Sequence, residues 1–148
     1  MHVVANSDSI DDQILKLNVS KQVDKYIKSI TKNCITKQEY INTISKNIYS
    51  ILTVANKTLQ DYNSNYTVTA YMGKIKYDKK TKDGFFMNDG IYDSIKLIIG
   101  DGNGENWWSL LFPNSIQNYE TEEIFKNNDI QFSSGIMQLF TRFINKFN

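Results

Sequence analysis

The chain of 148 residues contains the residue types of a serine-hydrolase triad. Ser109 could act as the nucleophile and His2 as the general base, and the orienting carboxylate could come from Asp8, Asp11 or Asp12. The spacing does not favour this chemistry, because Ser109 stands in a strand-like run without a nucleophile elbow and His2 stands at the end of the chain. We therefore predict no catalytic residues and keep hydrolysis as an alternative.

A glycine-rich loop, Gly100 to Asn106, invites comparison with nucleotide-binding motifs. A dinucleotide fingerprint requires a third glycine where Glu105 stands, and a helix where a strand-like run follows. A phosphate loop requires Gly-Lys-Ser/Thr, which the loop lacks. The glycines instead predict a tight connection that uses positive φ angles, at Gly100, Gly102 and Gly104.

The same loop imitates the start of a calcium-binding loop. Asp101, Asn103 and Glu105 match the first three ligand positions of an EF-hand. The required glycine is replaced by Asn106, however, and the bidentate glutamate by Phe112. With a single histidine and a single cysteine, a Cys/His zinc site is also excluded. We predict no metal and no cofactor.

Length and composition bound the remaining possibilities. The length and a hydrophobic fraction of 41% predict one globular domain over residues 1–148. A net charge of +1 makes nucleic acid an unexpected partner. One cysteine, Cys34, allows no internal disulfide, and no apolar run approaches the roughly 20 residues that span a bilayer. No oligomeric state follows from the sequence.

Hydrophobic periodicity predicts an α+β fold: a mostly antiparallel sheet of four or five strands, with an N-terminal helical pair and a C-terminal helix. The predicted elements are a strand over His2–Ala5, helices over Ile10–Lys32 and from Thr36 to the turn at Asp61, strands over Tyr66–Tyr77 and Tyr92–Ile99, a short helix over Glu120–Lys126 and a helix from Ser134 onward. Ser9 with Asp12, and Thr36 with Glu39, have capping-box spacing.

Several finer expectations concern packing. We expect the apolar runs Leu97–Ile99 and Trp107–Phe112 to pair as a central hairpin, and Asp78 to Gly84 to form a charged loop. Gly73 is expected to mark a bulge or bend. A stripe of Ile10, Ile14 and Leu17 is expected to bury a second side of the first helix, and Ile35 to form a hydrophobic staple with Tyr40.

Adjacent Trp107 and Trp108 point to opposite faces of a strand. Either both are core residues, or one is a core residue and the other anchors a partner. A basic stripe, at Lys74, Lys76, Lys79, Lys80 and Lys82, surrounds one predicted hairpin. It is either a solvated face or a peripheral contact for anionic lipid.

Two segments carry a family resemblance: HVVANSDSIDDQILKLNV near the start, and GNGENWW followed by an apolar run that ends at Pro113. Together they resemble the stage II sporulation protein R family, from His2 to Pro113. The resemblance implies a protein made in the forespore and secreted into the space between the forespore and mother-cell membranes. There it would activate a membrane-embedded aspartic protease of the mother cell, which processes a sigma-factor precursor. The resemblance also implies an N-terminal signal or membrane segment, which we do not expect within residues 1–148.

The resemblance places partner binding in these two segments, at Asn6, Asp8, Asp11, Gly100, Gly102, Gly104, Asn106, Trp107 and Trp108. It also implies cysteines where Ser109 and Ile116 stand, so that the absence of both fits a structural disulfide lost as a pair. The alternatives left open are an envelope hydrolase and a module that binds cell wall or membrane.

Overall fold

The computed structural model describes residues 1–77, 79–82 and 85–109, which form three helices and six strands. In chain order these are β1 (His2–Val4), α1 (Ile10–Thr31), α2 (Lys37–Lys46), α3 (Ile48–Asp61), β2 (Val68–Tyr77), β3 (Lys80–Lys82), β4 (Phe85–Met87), β5 (Gly90–Ile99) and β6 (Asn106–Trp108). This architecture confirms the predicted α+β class. The helices predicted over Glu120–Lys126 and from Ser134 onward lie outside the described residues.

The main sheet has the strand order β2-β5-β1-β6. β2 and β5 form an antiparallel ladder from Val68↔Ile99 to Tyr77↔Gly90, and β1 lies parallel to β5 and antiparallel to β6. The predicted central hairpin is therefore wrong, because β1 separates β5 from β6. The register of the β2–β5 ladder passes through Gly73↔Ser94 without a bulge, so a bulge at Gly73 is wrong and a bend there stays a prediction.

The core lies between one face of the sheet and the helices. Its fully buried side chains include Val19, Val23 and Ile27 of α1, Ile51 and Leu59 of α3, and Val3, Val68, Leu97 and Ile99 of the sheet. Each such aliphatic side chain stabilises the fold by about 1.5–3 kcal/mol through removal from water. Burial at alternate positions of β5, at Ile95, Leu97 and Ile99, matches a strand with one face on this core.

The first half of α1 does not bury the predicted second stripe. Ile10 is 79% exposed, Ile14 47% and Leu17 52%. α1 packs through the opposite side, where the buried positions include Lys16 and Ser20 besides the valines. The expectation that this end is buried on two sides is wrong, because no described element covers the stripe.

The predicted second helix is divided at Asn47, whose backbone (φ −106°, ψ 14°) leaves helical geometry between α2 and α3. The start of α2 is the predicted capping box: Thr36 accepts a hydrogen bond from the Glu39 amide, and Glu39 accepts from the Thr36 amide. The staple is not buried, because Ile35 is 80% exposed. α3 ends in a Schellman motif with Asn63 at φ 56°.

The segment predicted as a charged loop contains β3, which pairs with β4 as a separate two-stranded sheet, Lys80↔Met87 to Lys82↔Phe85. In the part of the chain that the structure describes, no helix is long and apolar enough to cross a membrane.

Candidate functional site

The loop between β5 and β6 crosses the C-terminal end of β1, and this crossing joins the two sequence segments that carry the resemblance. The Gly104 amide donates to the Ala5 carbonyl at 3.0 Å, and the Asn103 amide donates to the Asn6 carbonyl at 2.9 Å. We call the combined unit, residues 5–9 with residues 100–105, the junction. Segments almost 100 residues apart in sequence therefore form one local structure.

Asn6 is the residue that ties the junction to its surroundings. Its side-chain oxygen accepts from the Asp101 amide at 3.0 Å. Its side-chain nitrogen donates to Asp12 Oδ2 at 2.9 Å and to the Tyr66 hydroxyl at 3.1 Å. One amide group thus connects the β5–β6 loop, the start of α1 and the segment that leads into β2.

Asp12 is a buried carboxylate at the start of α1. Besides Asn6, it accepts from the Ser7 hydroxyl at 2.5 Å, while its own amide donates to the Ser9 hydroxyl at 3.2 Å. Burial raises the pKa of the Asp12 carboxyl, but hydrogen bonds led by those from Ser7 and Asn6 outweigh burial and hold this pKa below its usual value. The ionised form is therefore the one that the fold uses. Of the two hydrogen bonds in the predicted capping box, only the one from the Asp12 amide to the Ser9 hydroxyl forms.

Three further polar side chains, those of Asp8, Gln13 and Lys16, complete the network of the junction. Asp8 Oδ1 accepts from the Glu105 amide at 2.6 Å, and Gln13 donates to the Ser7 carbonyl at 2.9 Å. Lys16 is 5% exposed, and its ammonium group donates to the Glu105 carbonyl at 3.2 Å and to the Gln13 side chain. This buried cation satisfies polar groups at the point where the loop passes over the helix.

The positive φ angles predicted for the loop glycines are confirmed at Gly100 and Gly102, and the prediction is wrong at Gly104. Gly100 and Gly102 have φ angles of +56° and +67°. Gly104 is required by close approach: a Cβ there would lie 2.5 Å from the carbonyl carbon of Ser7. These glycines permit the loop to touch the β1–α1 connection, and a role for them in partner binding stays a prediction.

The other predicted site residues lie around the junction. Asp8 and Asp11 are exposed near the start of α1, and Asn106 is exposed at the start of β6. Trp107 is half-buried, opposite Val3, and packs against the core. The backbone of Trp108 pairs with His2, and its side chain lies outside the described part of the structure. Whether any of these residues binds a partner stays a prediction.

A groove of about 470 Å³ lies beside the junction, between the first turns of α1 and the turn from α3 to β2. Its lining residues are Asp11, Asp12, Ile14, Leu15, Tyr62, Asn63, Ser64, Asn65 and Tyr66. This groove and the contributions of Ser7, Lys16 and Tyr66 were not predicted from the sequence. Lys16 stands four residues after Asp12 and three before Val19, so it lies on the same buried side of α1. A lysine at such a position was the signal in the sequence that could have predicted the network.

The three members of the hypothetical triad are not brought together. The His2 ring contacts the Tyr77 ring edge-on, with centroids 5.9 Å apart. The Ser109 hydroxyl instead lies 3.4 Å from Asp24 Oδ1, on the side of the sheet that faces α1. His2 and Ser109 lie near the N-terminal end of β1, whereas Asp8, Asp11 and Asp12 lie beyond its C-terminal end. Within residues 1–77, 79–82 and 85–109, no group of His, Cys, Asp or Glu side chains is placed to hold a metal ion.

The fold and the junction define a small α+β module whose two motif segments build a single polar network. The family model described as Stage II sporulation protein R (spore_II_R) matches residues 1–120, and the chain belongs to this family. The resemblance drawn from the two segments is therefore confirmed.

Stage II sporulation protein R of Bacillus subtilis (strain 168) is 30% identical over 113 residues. The match covers 76% of this chain and 50% of that protein, so the chain spans about half the length of the curated relative it matches. No solved structure matches the chain.

Proposed function

We propose that the protein is a secreted forespore signal that activates a membrane-embedded aspartic protease of the mother cell, which in turn processes a sigma-factor precursor. The proposal places the protein in the space between the two membranes, where it meets the extracytoplasmic surface of the protease. Membership of the stage II sporulation protein R family supports this assignment. The resemblance of the two sequence segments supplies the partner and the compartment.

The activity we propose is a binding event that shifts a conformational equilibrium of the protease towards its active, dimeric state. Such a ligand acts only through its higher affinity for the active state. Converting a 1:99 population ratio into 99:1 requires about a 10⁴-fold preference, or roughly 5.5 kcal/mol. A ligand that is already ordered loses little conformational entropy on binding and can direct more of its interaction energy into this preference.

The observation that carries the proposal is the junction. Asn6, Asp12 and Lys16 hold the family segments in one fixed arrangement through hydrogen bonds at 2.9–3.2 Å. These side chains order the surface around them instead of forming a catalytic group. A preformed recognition surface is what a protein ligand needs.

The test is processing of the sigma-factor precursor in cells that produce the protease, the precursor and a secreted form of this chain. The wild-type chain should trigger processing, and its omission should abolish it. Asn106→Ala and Trp108→Ala should reduce processing several-fold, because we propose that both positions contact the protease. Thr53→Ala, at an exposed position in the middle of α3, is the matched control and should process normally. A wild-type chain that is secreted and folded yet triggers no processing would refute the proposal.

The alternatives gain no support from the geometry. An envelope hydrolase would need Ser109 and His2 to converge, and their contacts with Asp24 and Tyr77 lie on opposite faces of the sheet. Normal processing with Ser109→Ala would be consistent with signalling and inconsistent with a serine nucleophile. A cell-wall module would sediment with purified sacculi in the absence of the protease, which the signalling proposal does not require.

A further inference from the structure

An apolar ridge runs along the solvent-facing side of α1 next to the junction. It consists of Ile10, Ile14 and Leu17, which stand at i, i+4 and i+7 and so share one face of the helix. Exposed aliphatic side chains are ordinary when scattered, but three in register form a continuous strip of the kind that marks an interaction surface. No described element covers this strip.

The groove extends the ridge on one side. Ile14 belongs to both, and across the groove stand Tyr62 and Tyr66, which are 51% and 38% exposed. Half-exposed tyrosines offer large apolar area with a polar hydroxyl and are common anchors in protein interfaces. Ridge and groove together therefore present a concave, partly aromatic strip instead of a flat apolar patch.

Carboxylates flank this strip. Asp11 lines the groove, and Asp8 and Glu105 lie on the junction side of α1, where the Glu105 amide contacts Asp8. Asp101 is joined to the groove through Asn6, which contacts both the Asp101 amide and the Tyr66 hydroxyl. All four acidic residues are exposed; of the nearby cations, Lys16 is buried in the network and Lys21, one turn beyond Leu17, is exposed. The Ile10–Ile14 end of the strip thus combines aliphatic contact area with a negative field.

We propose that the ridge and the groove form the docking surface for a segment of the partner protein that carries aliphatic side chains together with Lys or Arg. The inference rests on the proposed function, and it assigns that segment to the extracytoplasmic part of the protease. Apolar side chains of the segment would cover Ile10, Ile14 and Leu17, and its cations would face the flanking carboxylates. Charge excludes an anionic lipid surface as the occupant, because the carboxylates repel phosphate.

The experiment measures binding of the purified chain to the protease in nanodiscs of uncharged lipid. The double variant Ile10→Ser/Ile14→Ser should bind at least 30-fold more weakly than the wild type, the loss expected when central apolar contacts are removed. Ile35→Ser is the matched control, because Ile35 is 80% exposed, against 79% for Ile10, and lies in the connection between α1 and α2, away from the ridge. It should change the affinity less than two-fold.

The contribution of the flanking carboxylates to binding is measured separately with the double variant Asp11→Asn/Asp101→Asn. Rim charges act mainly on the association rate, so this variant should associate three- to ten-fold more slowly at low salt, with dissociation almost unchanged. The difference should disappear near 0.5 M salt, where the Debye length falls to a few ångströms. An association rate equal to the wild type at low salt would overturn the charge complementarity.

The possible outcomes separate this inference from the function on which it rests. If the wild type does not bind the protease, the proposed function fails and the docking surface fails with it. If the wild type binds and the Ile10/Ile14 variant binds equally well, the function stands and the docking surface is refuted. If the wild type forms dimers that the same variant abolishes while binding to the protease is retained, the occupant is a second copy and the proposal is wrong.

Discussion

Asn6 joins three parts of the chain with one side-chain amide: the β5–β6 loop, the start of α1 and Tyr66. It was predicted as a partner-binding residue from its position in a family segment. Its contacts lie within the fold, which gives it a structural task whatever else it does. Residue type and position predicted its importance, but not the direction in which its side chain points, because Asp101 and Tyr66 are distant in sequence.

At Gly104 a methyl group should be costly. A Cβ would lie 2.5 Å from the carbonyl carbon of Ser7, which is backbone and cannot swing away, so Gly104→Ala should lower the free energy of unfolding by about 1–3 kcal/mol. At Gly73 the nearest atoms belong to the outer end of the Tyr71 ring, at 3.0–3.4 Å, and Gly73→Ala should be nearly neutral. Urea denaturation of both variants measures the difference. Equal stabilities would mean that the loop does not approach Ser7 as closely as described.

The Asp12 carboxylate should make the free energy of unfolding depend on pH in the acidic range. Its pKa is lowered in the folded state, so its stabilisation is fully present above the unfolded-state value of 3.8 and is lost as the pH falls through the lower folded value. Asp12→Asn should cost about 1–3 kcal/mol at pH 7, because hydrogen bonds to a charged acceptor are lost inside the fold. Its stability should also fall less steeply than that of the wild type below pH 4. The measurement is the free energy of unfolding in urea from pH 7 to pH 2. An equal fall of this free energy with pH in the wild type and in Asp12→Asn would contradict the network.

Among the elements, the helices were the most predictable and the sheet order the least. The limits of α1 and the capping box of α2 follow from local periodicity and from side chains three residues apart. The insertion of β1 between β5 and β6 joins positions more than 90 residues apart, such as Val3 and Leu97, and no local pattern encodes that pairing. The two apolar runs near the Gly-rich loop therefore looked like a hairpin.

The cap of α2 provides a test at this scale. Thr36→Ala removes the acceptor for the Glu39 amide and should cost about 1 kcal/mol, which corresponds to a fall in Tm of about 2–4 °C for a chain of this length. Thr53→Ala is the control, because Thr53 is exposed within α3 and alanine has the higher helix propensity. Thermal unfolding followed by circular dichroism should show a loss for the first variant only. A matching loss in both would indicate that the capping box contributes nothing specific.

At the scale of the whole molecule, the described residues place an acidic cluster and a group of lysines at opposite ends of β5. The junction end displays Asp8, Asp11, Asp101 and Glu105, and the other end of the β2–β5 ladder displays Lys74, Lys76 and Lys79 together with Asp89 and Asp93. A strand of ten residues separates these ends by about 30 Å. The net charge of +1 conceals this separation, so composition gave no hint of it.

The basic end allows a quantitative prediction about membranes. An exposed lysine near an anionic bilayer contributes about 1 kcal/mol, so Lys74, Lys76 and Lys79 together provide no more than about 3 kcal/mol, which corresponds to a dissociation constant weaker than about 1 mM. Sedimentation with phosphatidylserine vesicles should therefore detect weak binding at low salt and none at 0.5 M salt. Changing the three lysines to alanine should abolish it, whereas Lys21→Ala/Lys25→Ala on α1 should not. Micromolar binding to vesicles would contradict this estimate and would make lipid, instead of a protein receptor, sufficient to hold the chain at a membrane.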